Sequence, residues 1–250
     1  MAPVRQLLPE PLADVDPISL VADEARPAPA DRPWLLVNMV SSLDGATALE
    51  GRSGGLGGPA DRRLFAAIRS VADVILVGAS TVRAEGYGPP RMPDAVQEAR
   101  VLRGQAPVPR LAVVSASLRL DLTGPLFADQ AEQTIVVTTP AADRARRSEI
   151  AARADLLLAG QTERVDMAEM LRSLGEMGAR IVVAEGGPSL NGQLLDADLV
   201  DEWRLSLSPV LVGGEAKRAI EGPAPATPHE MRLDRVLEED GALFVRYVRR

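Results

Sequence analysis

From Trp34 onward, apolar runs of strand length take turns with helical stripes. WLLVNMV (34–40), DVILVG (73–78), LAVVS (111–115), TIVVTT (134–139), DLLLAG (155–160) and RIVVAE (180–185) are nearly continuous apolar runs, the pattern of strands covered on both faces. Leu64, Phe65, Ile68 and Val71 line one stripe behind Pro59, so a helix is expected from Pro59 to about Ala72. PAADRARRSEIAARA predicts a second helix from near Pro140. Met167, Met170, Leu171, Leu174 and Met177 predict a third, opened by Asp166 and Glu169 at the spacing of a carboxylate capping box, and this Met stripe reads as core. A further helix starts within GGPSLNGQLLDA, directly after the strand 180–185. The last third changes character: DEWRLSLSPVLVG (201–213) alternates in part, and 231–237 with 242–248 flank EEDGA as a hairpin. This order predicts an α/β fold with a mixed, mostly parallel sheet, helices on both faces and a C-terminal antiparallel hairpin. Residues 1–32, rich in Pro, Asp and Ala with little periodicity, read as an irregular N-terminal arm before a single domain at 33–250.

Composition narrows the chemistry. The 250 residues, 46% apolar and 25% charged, suffice for one substantial core. No apolar run reaches the roughly 20 residues that span a bilayer, and the acidic, Pro-broken N-terminus does not read as a signal peptide, so a cytoplasmic protein without membrane contact is expected. The absence of cysteine removes disulfides, thiolate nucleophiles and Cys-based zinc sites, and no metal is expected. His229 is the sole histidine and lies in a Pro-rich stretch, which points to a structural or surface role. Lys217 is the sole lysine and thus the one Schiff-base candidate. A net charge of −7 argues against a duplex-binding surface, so no nucleic-acid partner is expected.

Three strand ends run into Gly-containing turns: Asp44-Gly45 through Gly58, Gly78-Ala79-Ser80-Thr81, and Glu185-Gly186-Gly187. Ligands of open α/β sheets bind outside the carboxyl ends of strands, where these turns should converge. Glycines admit close backbone approach, and a following helix N-terminus offers N–H groups to a phosphate, so the expected ligand is a nucleotide. A Rossmann site is a poor match. Gly55-x-Gly57-x-x-Ala60 comes well after strand 34–40, and DVILVG ends in Gly78 where an acidic ribose ligand belongs. No Gly-Lys-Ser/Thr of a P-loop occurs.

NMVSSLDG (38–45), GPADRRLFAAIRSVADVILVGASTVRAEGY (58–87), AEGGPSLNGQLL (184–195) and LVDEWRLSLSPVLVGG (199–214), in this order and spacing, resemble the reductase domain of the bacterial bifunctional riboflavin-biosynthesis deaminase-reductase over roughly residues 33–249. The resemblance implies a dihydrofolate-reductase-like fold, and a stand-alone reductase, since the cysteines and length of the zinc deaminase domain are missing. It further implies reduction of 5-amino-6-(5-phosphoribosylamino)uracil, or a related pyrimidine or pterin, with hydride passing from NADPH to the sugar C1′. A homodimer, formed through the sheet or the final hairpin, is also expected.

Residue by residue, the resemblance places Gly186, Gly187, Pro188, Ser189 and Leu190 beside the cofactor diphosphate. Ser41, Thr81 and Glu85 match positions near the cofactor, and Ser115 and Ser117 its adenosine end, while Gly78 and Ala79 join the expected cofactor site through their strand-end turn. Ser53, Arg69 and Glu185 fall on the substrate side, with Glu185 and Asp44 as candidate catalytic groups. Two departures bear on the substrate. Gly55 stands where the family often has Trp, and after Thr81 the family's Asp-Asp-Pro is replaced by Glu85-Gly86-Tyr87-Gly88-Pro89-Pro90-Arg91, leaving Arg91 to take a substrate phosphate. The same fold acting on dihydrofolate, an NADP-binding protein without turnover, and a flavin- or deazaflavin-dependent reductase are the alternatives.

Overall fold

In the computed structural model, which describes residues 3–128 and 134–250, ten strands form one sheet in the order β1-β9-β10-β8-β2-β7-β3-β4-β5-β6. These are β1 (Arg5–Leu8), β2 (Trp34–Ser42), β3 (Val74–Gly78), β4 (Arg110–Val114), β5 (Ile135–Thr138), β6 (Asp155–Leu158), β7 (Ile181–Ala184), β8 (Glu202–Ser208), β9 (Met231–Glu239) and β10 (Ala242–Arg249). From β8 through β6 every neighbouring pair is parallel, whereas β10, β9 and β1 add antiparallel strands at one edge. The mixed, mostly parallel sheet and the C-terminal hairpin are therefore as the hydrophobic pattern predicts.

The helices are α1 (Pro17–Ala22), α2 (Pro59–Val71), α3 (Ala79–Glu85), α4 (Asp94–Leu102), α5 (Arg144–Ala151), α6 (Met167–Glu176) and α7 (Pro188–Asp196). Successive residues of the central strands serve opposite cores. Leu36, Ile75, Val77, Val113, Val136 and Val183 pack with α1, α2 and α5, while Leu35, Val37, Leu76, Ala112, Val137 and Val182 pack with α6 and α7. That two-sided burial is why these strands read as unbroken apolar runs.

Several boundaries differ from the sequence reading. The arm is not irregular: β1 pairs with β9, and Val4 and Val21 are buried in the core, because pairing with a distant strand supplies the order that local periodicity lacks. Met1 and Ala2 of that arm lie outside the described residues. The helix expected from Pro140 begins at Arg144, where Asp143 caps it by accepting from the Arg146 N–H at 2.7 Å. Asp166 caps α6 through the Glu169 N–H, yet Glu169 turns away from the box and accepts from the Gly160 N–H. In the Met stripe, Met167, Met170, Leu171 and Leu174 are buried and Met177 is exposed. Helices α3 and α4 are short and lie in segments without a clear stripe. The strand expected at 201–213 ends at Ser208.

Candidate functional site

The carboxyl ends of β2, β3 and β7 open into a cleft of about 1230 Å³, bounded also by α2 and the segment 212–217. Helix α2 supplies one wall. Asp61, Phe65 and Arg69 recur every four residues and so share one face of the helix. Opposite stands Glu185, placed by β7 at the mouth of the turn into α7.

Glu185 is buried yet fully partnered. Arg69 donates to it twice, Nε to Oε1 and Nη2 to Oε2, both at 2.6 Å, and the Tyr87 hydroxyl donates to Oε2 at 2.8 Å. The guanidinium lies over the Phe65 ring at 4.2 Å from its centroid and 5.7 Å from that of Tyr87. Burial on its own lowers the pKa of Arg69, but the bonded Glu185 carboxylate outweighs it and the net shift is upward. Burial and then the Glu185 charge push the Tyr87 hydroxyl well above its ordinary value. The cluster is thus a preassembled ion pair with a protonated phenol, suited to hold a ligand's polar groups in a fixed frame.

The glycine turns meet as expected at two of the three strand ends. Gly78 donates its N–H to the Gly186 carbonyl at 3.1 Å, and a side chain at Gly187 would press on Thr81 Oγ1 at 3.0 Å. Gly186 and Gly187 both sit at φ +86°, where L side chains are strained. Among the described residues no protein acceptor takes the N–H groups of Gly186, Gly187, Ser189 or Leu190, so the start of α7 presents backbone donors that fit a diphosphate. At the ends of β4 and β5, the buried Ser115 Oγ and Thr139 Oγ1 have no protein partner among the described residues, which fits a polar group of a bound nucleotide. Thr139 carries no motif, and only its unmet hydroxyl singles it out.

Of the residues named from sequence, Ser53, Arg69, Thr81, Glu85, Arg91, Glu185, Gly187 and Pro188 line the cleft. Glu85 fixes the Gly-rich loop by accepting from the Ser53 N–H at 2.8 Å. Gly78, Ala79, Gly186 and Leu190 lie at the same two turns without lining the cleft, and Ser189 and Ser117 are exposed. Ser41 and Asp44 instead border a separate cavity of about 430 Å³ together with Trp203 and Arg218. Asp44 is exposed and accepts from Ser42 Oγ at 2.5 Å and from the Gly213 N–H at 2.6 Å. These bonds, with one from Val212, lower its carboxyl to about 2, so it ties two loops together in its charged form. Sequence reasoning missed Tyr87, Phe65 and Asp61. The 61-65-69 repeat was the available signal for the last two.

His229 contacts Asp198 at 3.0 Å, Lys217 pairs with Glu221 at 2.7 Å, and the described residues hold no metal-binding cluster. No helix among them is long and apolar enough to cross a membrane.

Residues 33–242 match the family described as the RibD C-terminal domain. The chain is 32% identical over 222 residues to the 2,5-diamino-6-ribosylamino-4(3H)-pyrimidinone 5′-phosphate reductase of Methanothermobacter thermautotrophicus, covering 86% of this chain and 98% of that protein. It is 33% identical over 187 residues to the protein of the same name from Archaeoglobus fulgidus, covering 73% and 83%. A pyrimidine reductase-like protein from Corynebacterium diphtheriae has the same fold, with a TM-score of 0.81 at 24% identity over 94% of this chain and 98% of the other. The family expected from the sequence motifs is therefore the one found: this chain belongs to the RibD C-terminal domain family of riboflavin-biosynthesis reductases.

Proposed function

We propose that the protein reduces a 5-amino-6-ribosylaminopyrimidine 5′-phosphate to its ribitylamino form, using NADPH. The observation that carries this reading is the Arg69–Glu185–Tyr87 cluster at the strand ends, in a cleft of about 1230 Å³. A relative matched along nearly its whole length supports it.

In this reading the amides at 186–190 hold the cofactor diphosphate, Thr81 and Glu85 border the cofactor, and Ser115 and Thr139 satisfy polar groups at its adenosine end. Bound there, the cofactor supplies a hydride. Hydride addition at the sugar C1′ would pass the C1′–O4′ bond pair to O4′, which would take its proton from water. Glu185, bonded by Arg69 and Tyr87, orients the sugar or ring, and Arg91 faces the phosphate. Asp44, strongly acidic and outside the cleft, serves by anchoring the loop 212–213. We also infer a cytoplasmic homodimer. Trp203, Leu205 and Leu207 of β8 and Leu243, Val245 and Tyr247 of β10 are paired across one half-exposed sheet face, which suits a second copy.

Steady-state NADPH oxidation tests the reading, with the ribosylaminopyrimidine phosphate and dihydrofolate as rival acceptors. Turnover with the pyrimidine alone is expected. Turnover with dihydrofolate alone, or NADPH binding without oxidation by either, would reject it.

A further inference from the structure

The cleft walls carry five carboxylates, at Glu50, Asp61, Glu85, Glu185 and Glu215. Glu185 is saturated by Arg69 and Tyr87, Glu85 accepts from the Ser53 N–H, and Glu50 and Glu215 are exposed. Asp61 is different. It is half-buried in the first turn of α2, and among the described residues no Arg, Lys or His lies within ion-pair distance of it. Its position is fixed from above by the Gly-rich loop, since a Cβ at Gly57 would lie 2.4 Å from Asp61 Oδ2. Burial raises its carboxyl pKa, and the Ser206 hydroxyl and the Arg62 charge oppose that shift without cancelling it. A largely desolvated carboxylate that has a hydroxyl donor but no ion pair keeps acceptor capacity for donors from a ligand.

The stripe on α2 indicates which ligand groups those are. Asp61 and Arg69 are eight residues apart, about 12 Å along the helix axis, with the Phe65 ring between them. Tyr87 bonds Glu185 at the Arg69 end, and Arg91, four residues further along the chain, lines the same cleft. A ribosylaminopyrimidine phosphate has matching length and polarity: an anion at one end, a flat ring at the other. An anion cannot rest on Asp61, so the ring edge does.

Resting on the function proposed above, we propose that Asp61 reads position 2 of the pyrimidine and selects a 2-amino-4(3H)-pyrimidinone over the corresponding uracil. The 2-amino ring presents two parallel donors, its amino N–H and N3–H, to the two oxygens of one carboxylate. The uracil presents a carbonyl oxygen in place of the amino group. That oxygen would face a carboxylate oxygen, acceptor against acceptor.

The test compares wild type, Asp61→Asn and Asp61→Ser. An asparagine offers one acceptor and one donor, the complement of the uracil edge, whereas serine shortens the side chain and removes the paired acceptors. The readouts are kcat/KM for the 2-amino and 2-oxo ribosylamino phosphates, and calorimetric Kd values for their ribitylamino products, with thermal unfolding confirming that each variant is folded. Wild type should favour the 2-amino series in both readouts. Asp61→Asn should lower that preference at least about tenfold, and Asp61→Ser should lose it without gaining the uracil. A wild type that prefers the 2-oxo series, or a folded Asp61→Asn with an unchanged ratio, overturns the role of Asp61 alone. A wild type that turns over neither compound overturns the functional reading and this inference with it.

Discussion

Single side chains at this site divide between those that meet a ligand and those that hold the frame. Tyr87 belongs to the frame. Its hydroxyl reaches a carboxylate 98 residues away in the chain, so Tyr87→Phe should lower kcat/KM roughly tenfold, the value of one hydrogen bond to a charged group, while the thermal midpoint moves little. Steady-state kinetics and calorimetry on the same preparation check both halves. Asp44 makes a separable prediction. Its folded pKa of about 2 lies below the ordinary 3.8, so its hold on the loop 212–213 is complete above 3.8 and fades as pH falls toward 2. Hydrogen exchange of the Val212 and Gly213 amides should show protection lost across that window, and Asp44→Asn should weaken it at neutral pH too. At this scale Arg69, Glu185 and the glycines were legible because they sit in motifs. Tyr87 and Asp61 were not, since what distinguishes them is a partner gained or a partner lacking in three dimensions.

Elements are secured largely by what meets their ends. The C-terminal carbonyls of α2 are met by the fully buried Arg100, whose Nη1 donates to Ser70 O at 2.9 Å and Ala72 O at 2.7 Å, and by Arg103 and Gln105. Cations at a helix C-terminus also oppose its dipole. Arg100→Met should therefore cost about 2–4 kcal/mol in urea unfolding, by stranding buried carbonyls. Helix α7 is pinned differently: Gly192 lies so close to the segment beyond Lys217 that a Cβ would sit 1.9 Å from the Glu221 carbonyl oxygen. Asn191 Nδ2 and the Glu221 N–H reinforce that contact. Gly192→Ala should displace the loop bordering the cleft, costing about 1–3 kcal/mol and raising KM for the pyrimidine. The apolar patterns of α2 and α6 announced those helices, whereas α3 and α4 had no such stripe and depend on their neighbours.

Across the whole molecule, a buried ionic network joins the first 32 residues to the antiparallel edge of the sheet. Glu202 receives Arg26, Arg204 and Arg246, and Trp34 Nε1 as well, while Glu24 pairs with Arg26 and Arg204. Burial would raise the Glu202 pKa, but the three arginines overcome it and hold it well below the ordinary 4.5. Its stabilisation is thus complete above about that value and is lost as pH falls below it. Glu202→Gln should cost about 3–5 kcal/mol in denaturant unfolding at neutral pH, because it leaves buried guanidinium groups without their counter-charge. By itself the chain's apolar periodicity determined the parallel strands and two of the covering helices, because burial on both faces leaves a local, period-dependent trace, while the family was legible in the motifs at 38–45, 58–87, 184–195 and 199–214. Only the tertiary structure decided that the N-terminal segment is part of the core, that Asp44 stands outside the cleft, and that Asp61 stands inside it with no ion pair among the described residues. Those facts depend on contacts between residues far apart in the chain, and neither spacing nor composition records them.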